Sequence, residues 1–274
     1  LAGYDVLEDA VKSAIHGQIL DERLLTALAS ILGFCISEFP GAAAVMLCFR
    51  AGELLQEAAE ERSTKTAAAL EALYPDAVCS LEYEDEPWKL LILARLSAQC
   101  TDARVNIVAK TLFWRFPTPE SVADCDLAAL EETIRPCGLY KTKAKSIRET
   151  AGILVRDYGG RVPDTMEGLL ALPGVGRKIA CLMLGDVFGK PHIVTDTHCI
   201  RICGRLGFYP ESEKNPAKIE RILDGCVEKA IQSDFCHRIV NFGRDICTAR
   251  SPKCDACPMR PFCRHAVDAQ AALR

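Results

Sequence analysis

The chain has 274 residues, of which 49% are hydrophobic and 26% charged, and its formal net charge is −4. This length allows one or two domains with cores of good size. The negative charge counts at first against a nucleic-acid partner. Of the 15 cysteines, eleven are scattered singly. That pattern argues against a secreted disulfide framework and favours a reducing compartment such as the cytoplasm.

The first 65 residues differ from the rest of the chain. Residues 24–37 and 39–49 are uncharged apolar runs of 14 and 11 residues, shorter than the ~17–25 residues of a membrane span. Residues 17–23 (GQILDER) and 38–47 nevertheless resemble a transmembrane hairpin of heavy-metal P-type ATPases. No phosphorylation motif of such a pump is present. We expect residues 1–65 to form a fused helical appendage with no part in catalysis; a misjoined reading frame and membrane association are the alternatives.

The charge is unevenly distributed along the chain. Residues 1–65 hold ten acidic and five basic side chains, which leaves 28 basic and 27 acidic side chains in residues 66–274. Two basic clusters could meet phosphates, and the alternative for each is a solvated helix face. The clusters are Lys141, Lys143, Lys145 and Arg148, and Arg250, Lys253, Arg260 and Arg264.

From residue 67 onward the sequence predicts an all-α fold. Apolar residues recur at helical spacing, no run alternates as a strand would, and Pro and Gly punctuate the pattern. Ser121, Asp126 and Asp164 are expected to cap helices at their N-termini.

Residues 172–178 (LPGVGRK) read as the turn and second-helix start of a helix–hairpin–helix. Gly174 and Gly176 allow backbone angles closed to other residues, and the free N–H groups of the next helix offer an anion site. Lys178 stands one turn into that helix, and Asp196 opens another. An amine and a carboxylate beside a bound phosphate form a nucleophile and its base. The alternatives are a solvated surface lysine and a capping aspartate.

A second motif lies near the C-terminus. Cys247, Cys254, Cys257 and Cys263 are spaced C-x6-C-x2-C-x5-C, with prolines between them. The residues alone leave zinc, a disulfide pair and an iron–sulfur cluster open.

Together these motifs identify residues 67–264 as similar to the endonuclease III family, the DNA glycosylases and AP lyases of base excision repair. The matching segments are 74–77 (YPDA), 96–102 (LSAQCTD), 135–140 (RPCGLY), 172–178, 196–198 (DTH) and the cysteine loop. The resemblance implies a helix–hairpin–helix glycosylase fold, with a six-helix lobe over residues 80–190 and a cluster lobe from 66–79 and 191–274. It also implies a [4Fe-4S] cluster on the four cysteines and duplex DNA between the lobes.

The resemblance assigns roles to single residues. Lys178 attacks C1′ of the damaged nucleotide, and Asp196 assists it. Gln99 fills the space left by the extruded base, and Leu139 is a second wedge; from the sequence alone a capping glutamine and a core leucine are the simpler interpretations. The remaining expected DNA contacts are Lys143, Gly174, Gly176 and Arg244. Phe242 stands where the family more often has His.

The expected function is removal of oxidised pyrimidines from duplex DNA, followed by strand cleavage 3′ to the abasic site by β-elimination. The adenine and thymine mismatch relatives lack the lysine, so Lys178 favours the bifunctional branch. We expect a monomer acting in the cytoplasm on nucleoid DNA. The alternative is a non-catalytic helix–hairpin–helix DNA-binding protein.

Overall fold

The structure, a computed structural model, describes residues 39–271 and is all-α across them, which confirms the predicted class. Its helices are α1 Phe39–Leu73, α2 Pro87–Leu96, α3 Asp102–Arg115, α4 Pro119–Ala123, α5 Leu127–Ile134, α6 Tyr140–Tyr158, α7 Met166–Leu170, α8 Arg177–Asp186, α9 Thr197–Leu206, α10 Pro216–Cys226, α11 Gln232–Asp245 and α12 Arg264–Ala271. Short 3-10 turns occupy Arg135–Cys137, Lys229–Ile231, Cys254–Ala256 and Arg260–Phe262.

The chain divides into two compact units, Leu1–Arg62 and Ser63–Arg274. The predicted apolar run 24–37 lies outside the described residues, and the run 39–49 begins α1, which continues unbroken to Leu73. The polar residues 57–65 therefore lie within this helix. Within residues 39–271 no helix has the length and apolar character that crossing a bilayer requires. The resemblance to an ATPase hairpin finds no support in this part of the chain.

One hydrophobic core is built by α2 to α8. It extends from Leu81 to Leu184, and α2 lies at its centre, with eight of its ten residues buried. A helix buried on nearly every side should be largely apolar, and α2 (PWKLLILARL) is, with Lys89 and Arg95 as its charged residues. The loop at the C-terminal end of α2 therefore begins inside this core.

A second hydrophobic core is formed by residues that precede the first core in sequence and by residues that follow it. Leu70 of α1 joins side chains from Ile193 to Met259, contributed mainly by α9, α10 and α11. The chain thus leaves the first core at α8 and enters the second at Ile193, just before Asp196. The lobe limits given above, 80–190 and 66–79 with 191–274, stay a prediction.

The predicted caps are correct at one of three positions. Asp126 caps α5 by accepting a hydrogen bond from the Ala129 N–H. Thr118, not Ser121, caps α4, and Ser121 completes the capping box from the third helical position. Thr165 caps α7, because the Asp164 carboxylate pairs with Lys190 Nζ at 2.8 Å.

The hairpin between α7 and α8 uses its two glycines differently. Gly174 has φ +78°, and an added Cβ would meet Arg95 Nε and lie 3.1 Å from Ser146 Cβ. Gly176 has φ −98° and caps α8 with open space where a Cβ would stand. Positive φ therefore requires glycine only at 174, and the prediction of special angles at Gly176 is wrong. Its bare backbone instead leaves the start of α8 accessible.

Candidate functional site

A cleft with about 1170 Å³ of empty space opens between elements of the two cores. Its walls come from the loops at either end of α2, from α3 and α8 of the first core, and from α9 and α11 of the second. Lys178 lies on the α8 wall and Asp196 on the α9 wall. His198 also lines the cleft; burial lowers its pKa, the Asp196 carboxylate opposes that shift, and the Lys178 charge adds to it. The structure therefore brings the two residues to one cleft.

Lys178 is exposed at the second position of α8. Its ammonium has no hydrogen bond or ion pair with any residue that the structure describes. No side chain caps α8, so the first-turn N–H groups are free beside it. The neighbouring Arg177 guanidinium binds the Glu220 carboxylate through two contacts of 2.6 and 2.7 Å. The amine thus faces an open cleft next to a helix N-terminus, without a free arginine beside it.

Asp196 has two functions in the structure. Its Oδ1 accepts a 2.7 Å hydrogen bond from the Cys199 N–H and so caps α9. The residue remains half-buried and lines the cleft. The capping interpretation is correct, and it leaves the second carboxylate oxygen without a hydrogen bond to the described residues. The helix that Asp196 caps also fixes the direction of its carboxylate.

Gln99 and Leu139 are the two side chains predicted to enter DNA. Both have left-handed backbones, with φ 56° and 48°, and both are exposed, Leu139 to 57%. Leu139 is not a core residue, and Thr101 rather than Gln99 or Asp102 caps α3. A left-handed conformation is costly for a residue with a Cβ and persists where the surroundings impose it, commonly at functional sites. Gln99 lines the cleft with Lys178.

Lys143 does not lie on the surface, which corrects its predicted contact with DNA. The side chain is 1% exposed, and Nζ donates hydrogen bonds to the main-chain oxygens of Leu96 at 2.8 Å and Cys137 at 2.9 Å. The sequence carries the reason. Residues two apart on a helix face different directions, so Lys143 cannot share a face with Lys141 and Lys145. It lies instead on the buried face of α6 with Ile147 and Leu154.

Arg244 lies at the cleft, as expected for a DNA contact, but its guanidinium already has partners. Nη2 binds Asp102 Oδ2 at 2.7 Å, and Nη1 donates to Ser80 Oγ at 3.1 Å. Asp102 therefore ties α3 to α11 across the two cores. Gly174 and Gly176 belong to the hairpin turn next to Lys178 and do not line the cleft itself.

Sequence reasoning missed two polar partnerships near the site. Asp186 of α8 accepts hydrogen bonds from Ser233 Oγ and from His237 Nε2 of α11, and His237 lines the cleft. Glu220 of α10 holds Arg177. Each partnership joins residues more than 40 positions apart, so no local spacing pattern could have indicated it.

The four loop cysteines line a single small cavity, whose other walls include Leu206 and Phe242. All four are free thiols, which excludes the disulfide alternative. Sulfurs around one zinc would lie about 3.8 Å apart from Zn–S bonds of ~2.3 Å. In the described part of the chain, the only three potential metal ligands within 4.8 Å of one another are Cys181, His192 and Glu220. No three of the loop sulfurs therefore lie within 4.8 Å of one another, which is wider than the spacing expected around a single zinc ion.

The surroundings of this cavity also suit a polynuclear cluster. Arg205 donates from Nη1 to Cys247 Sγ at 3.3 Å and to the Thr248 main-chain oxygen at 2.8 Å. Hydrogen bonds and positive charge at the sulfurs stabilise thiolate ligands. Phe242, in the place of the more usual His, is 1% exposed and packs in the second core.

Comparison with known proteins agrees with this architecture. Residues 92–229 match the family model of the HhH-GPD superfamily of base excision DNA repair proteins, and residues 247–263 match the iron–sulfur binding domain of endonuclease III. Endonuclease III of Bacillus subtilis (strain 168) is 41% identical over 192 residues, which are 70% of this chain and 87% of that protein. Endonuclease III of Escherichia coli (strain K12) is 37% identical over 179 residues, covering 65% and 84%.

Solved structures give the same result. A trapped covalent endonuclease III–DNA intermediate superposes with a TM-score of 0.73 at 38% identity, over 77% of this chain and 98% of that one. A non-covalent endonuclease III–DNA complex gives 0.71 over the same shares. A thermostable thymine-DNA glycosylase, at 24% identity and a TM-score of 0.68, shares the fold.

A helix–hairpin–helix whose second helix presents a lysine to a cleft, opposite a capping aspartate, defines a base excision DNA repair protein of the helix–hairpin–helix class. Within that class, the four-cysteine loop and the similar proteins identify one family. The chain belongs to the endonuclease III family. It is a DNA glycosylase and AP lyase with a [4Fe-4S] cluster at its C-terminal cysteine loop.

Proposed function

We propose that Lys178 is the nucleophile of this enzyme and Asp196 its acid–base partner, acting on oxidised pyrimidines extruded from duplex DNA. The observation that carries the assignment is the shared cleft, which is lined by both an unpaired amine and a half-buried carboxylate. The free N–H groups at the start of α8 suit a phosphate of the DNA backbone beside the amine.

The reaction follows from this placement. The neutral amine attacks C1′, a bond from Nζ to C1′ forms, and the glycosidic bond breaks as the base leaves with a proton. The sugar ring then opens at O4′ and leaves an imine between Nζ and C1′. Removal of a C2′ proton expels the 3′ phosphate and breaks the strand, and water hydrolyses the imine. The Asp196 carboxylate accepts the lysine proton or stabilises the cationic sugar.

Gln99 and Leu139 are proposed to hold the duplex open. A base can be attacked at its sugar only once it has left the stack, and the vacated space requires a filler. Gln99 offers a donor and an acceptor to the unpaired partner base, while Leu139 is an apolar wedge. Gly174, Gly176 and Arg244 are proposed to contact the backbone; for Arg244 this requires a phosphate to share or replace the Asp102 carboxylate.

The [4Fe-4S] cluster is proposed to be structural. When bound, it cross-links Cys247, Cys254, Cys257 and Cys263 into one compact loop. The chain's own contribution is to present the basic side chains of that loop, Arg250 and Lys253 among them, to the DNA. We further propose that the enzyme acts as a monomer in the cytoplasm, on nucleoid DNA.

Borohydride trapping on duplex DNA with an abasic site tests the proposal against a non-catalytic DNA-binding protein. Borohydride reduces the imine to a stable amine, so the wild type should give a covalent protein–DNA adduct. Lys178→Gln should give none. Lys214→Gln, which changes another exposed lysine, should trap as the wild type does. An adduct that persists in Lys178→Gln would show that another amine is the nucleophile.

A further inference from the structure

Lys143 has the smallest exposed fraction of any charged residue that the structure describes, at 1%. Lysines are almost never fully buried unless they are paired, because the ammonium loses its hydration. Burial accordingly lowers the pKa of Lys143. Its hydrogen bonds go to two main-chain oxygens, those of Leu96 and Cys137, and it forms no ion pair with a carboxylate of residues 39–271.

The two oxygens belong to the ends of two different elements. Leu96 is the last residue of α2, and Cys137 is the last residue of the 3-10 turn Arg135–Cys137. Carbonyls at a helix C-terminus have no partner within the helix and carry partial negative charge, so a cation is favoured there. A single ammonium thus binds the C-terminal ends of two elements that lie some forty residues apart in sequence.

Both ends lead directly into the proposed wedges. Gln99 follows Leu96 by three residues, and Leu139 follows Cys137 by two. Each wedge has a left-handed backbone and an exposed side chain. Conformations of this kind persist only where surrounding contacts over-determine them. The Lys143 side chain contacts the base of both loops.

We propose that Lys143 is a positioning residue, whose buried ammonium ties the Gln99 loop to the Leu139 turn so that both side chains enter the duplex as one unit. This role rests on the proposed function. The role predicts that one of the two activities, base excision, depends on Lys143 more than the other. Base excision requires extrusion and therefore both wedges, whereas an abasic site has no base to remove from the stack. Loss of the ammonium should slow excision far more than it slows strand cleavage at a preformed abasic site.

The test uses the full chain with Lys143→Met, which keeps the length of the side chain and removes its charge. Single-turnover excision of an oxidised thymine from duplex DNA should slow by about 100-fold, the effect of a small misplacement of groups that must be precisely oriented. Cleavage at an abasic site in the same duplex should stay within about threefold of wild type, because its chemistry uses Lys178 and Asp196 unchanged. 2-Aminopurine opposite the lesion should show less fluorescence on binding, because the partner base remains stacked.

Lys89→Met is the matched control for the loss of a buried lysine. Lys89 is 7% exposed and lies at the opposite end of α2, where its ammonium pairs with Glu84 and Glu86. That variant should lose stability but keep the ratio of the two rates. If Lys143→Met does not fold, Lys143→Arg keeps a cation with several donors and should show the same selective defect to a smaller degree.

Coupling to the wedge distinguishes positioning from general support of the core. In a Gln99→Gly background, Lys143→Met should add little further loss of excision, because residues that act as a unit are not additive. Fully multiplicative losses, or parallel losses of both rates, would overturn the positioning role. A wild-type chain that neither excises bases nor forms a trapped adduct would instead refute the proposed function itself.

Discussion

Both oxygens of the Glu220 carboxylate accept hydrogen bonds from the Arg177 guanidinium, Oε2 from Nε at 2.6 Å and Oε1 from Nη2 at 2.7 Å. The pair joins α10 to the first residue of α8, one position before Lys178. Glu220 is 8% exposed and Arg177 is 53% exposed, so the acid depends on its partner for charge compensation. This contact fixes the helix start from which the proposed nucleophile extends.

Arg177→Ala should therefore lower the free energy of unfolding. The expected loss is about 2 kcal/mol, because a buried carboxylate is left without its partner while the arginine was only half-buried. Chemical denaturation measures it. Arg156→Ala removes an exposed pair with Asp157 and should change the free energy of unfolding far less. Equal losses in the two variants would mean that Glu220 does not depend on Arg177.

The two functions of Asp196 should separate by substitution. Asparagine caps helices as well as aspartate does, whereas alanine costs about 1 kcal/mol at this position. Asp196→Asn should keep the unfolding free energy and still slow base excision by about 100-fold or more, because the charge is lost. Asp196→Ala should lose both. An Asn variant with full activity would show that the residue is only a cap.

The cysteine loop should bind iron and sulfide and no zinc. Cys257→Ser removes one of four ligands and should cause loss of the yellow-brown colour, with weakened DNA binding as the loop loosens. Metal analysis and visible absorption measure the first, and a binding titration the second. Cys125→Ser is the control, because its thiol contacts the Val122 main-chain oxygen outside the loop. Zinc in a colourless wild-type protein would contradict the assignment.

The catalytic unit should tolerate removal of residues 1–62. Ser63, Thr66 and Leu70 are buried at spacings of three and four on α1, and Leu70 belongs to the second core. A chain that begins at Ser63 keeps this face and should trap abasic DNA as the full chain does. A chain that begins at Tyr74 loses Leu70, and a core leucine is worth about 2–5 kcal/mol. Loss of trapping in the longer truncated chain would give the N-terminal segment a role in catalysis.

Local sequence rules were sufficient where the determinant is itself local. The glycine turn at Gly174, the cap at Asp126 and the start of α8 depend on backbone angles and on groups within a few residues. Lys143 could have been assigned correctly by the same rules, since the helical period separates it from its neighbouring lysines. The prediction grouped basic residues that are close in sequence, although they do not share a helix face.

The remaining features depend on tertiary packing. The Asp102–Arg244 and Asp186–His237 pairs each join different helices of the two cores. The left-handed backbones of Gln99 and Leu139 occur in two loops that are far apart in sequence and meet only in the fold. Neither residue type nor spacing indicates such long-range contacts. The sequence therefore predicted which residues form the site but not the residues that they contact.

The scattered thiols have a consequence for maturation. Among the described residues, Cys137, Cys181, Cys199, Cys203 and Cys236 are buried. Burial raises the pKa of Cys181 to about 12 and also raises the pKa of Cys236, which keeps both thiols protonated. A protonated, buried thiol is a poor nucleophile and is inert to oxidants. We therefore expect these interior thiols to be open to oxidation mainly while the chain is still unfolded.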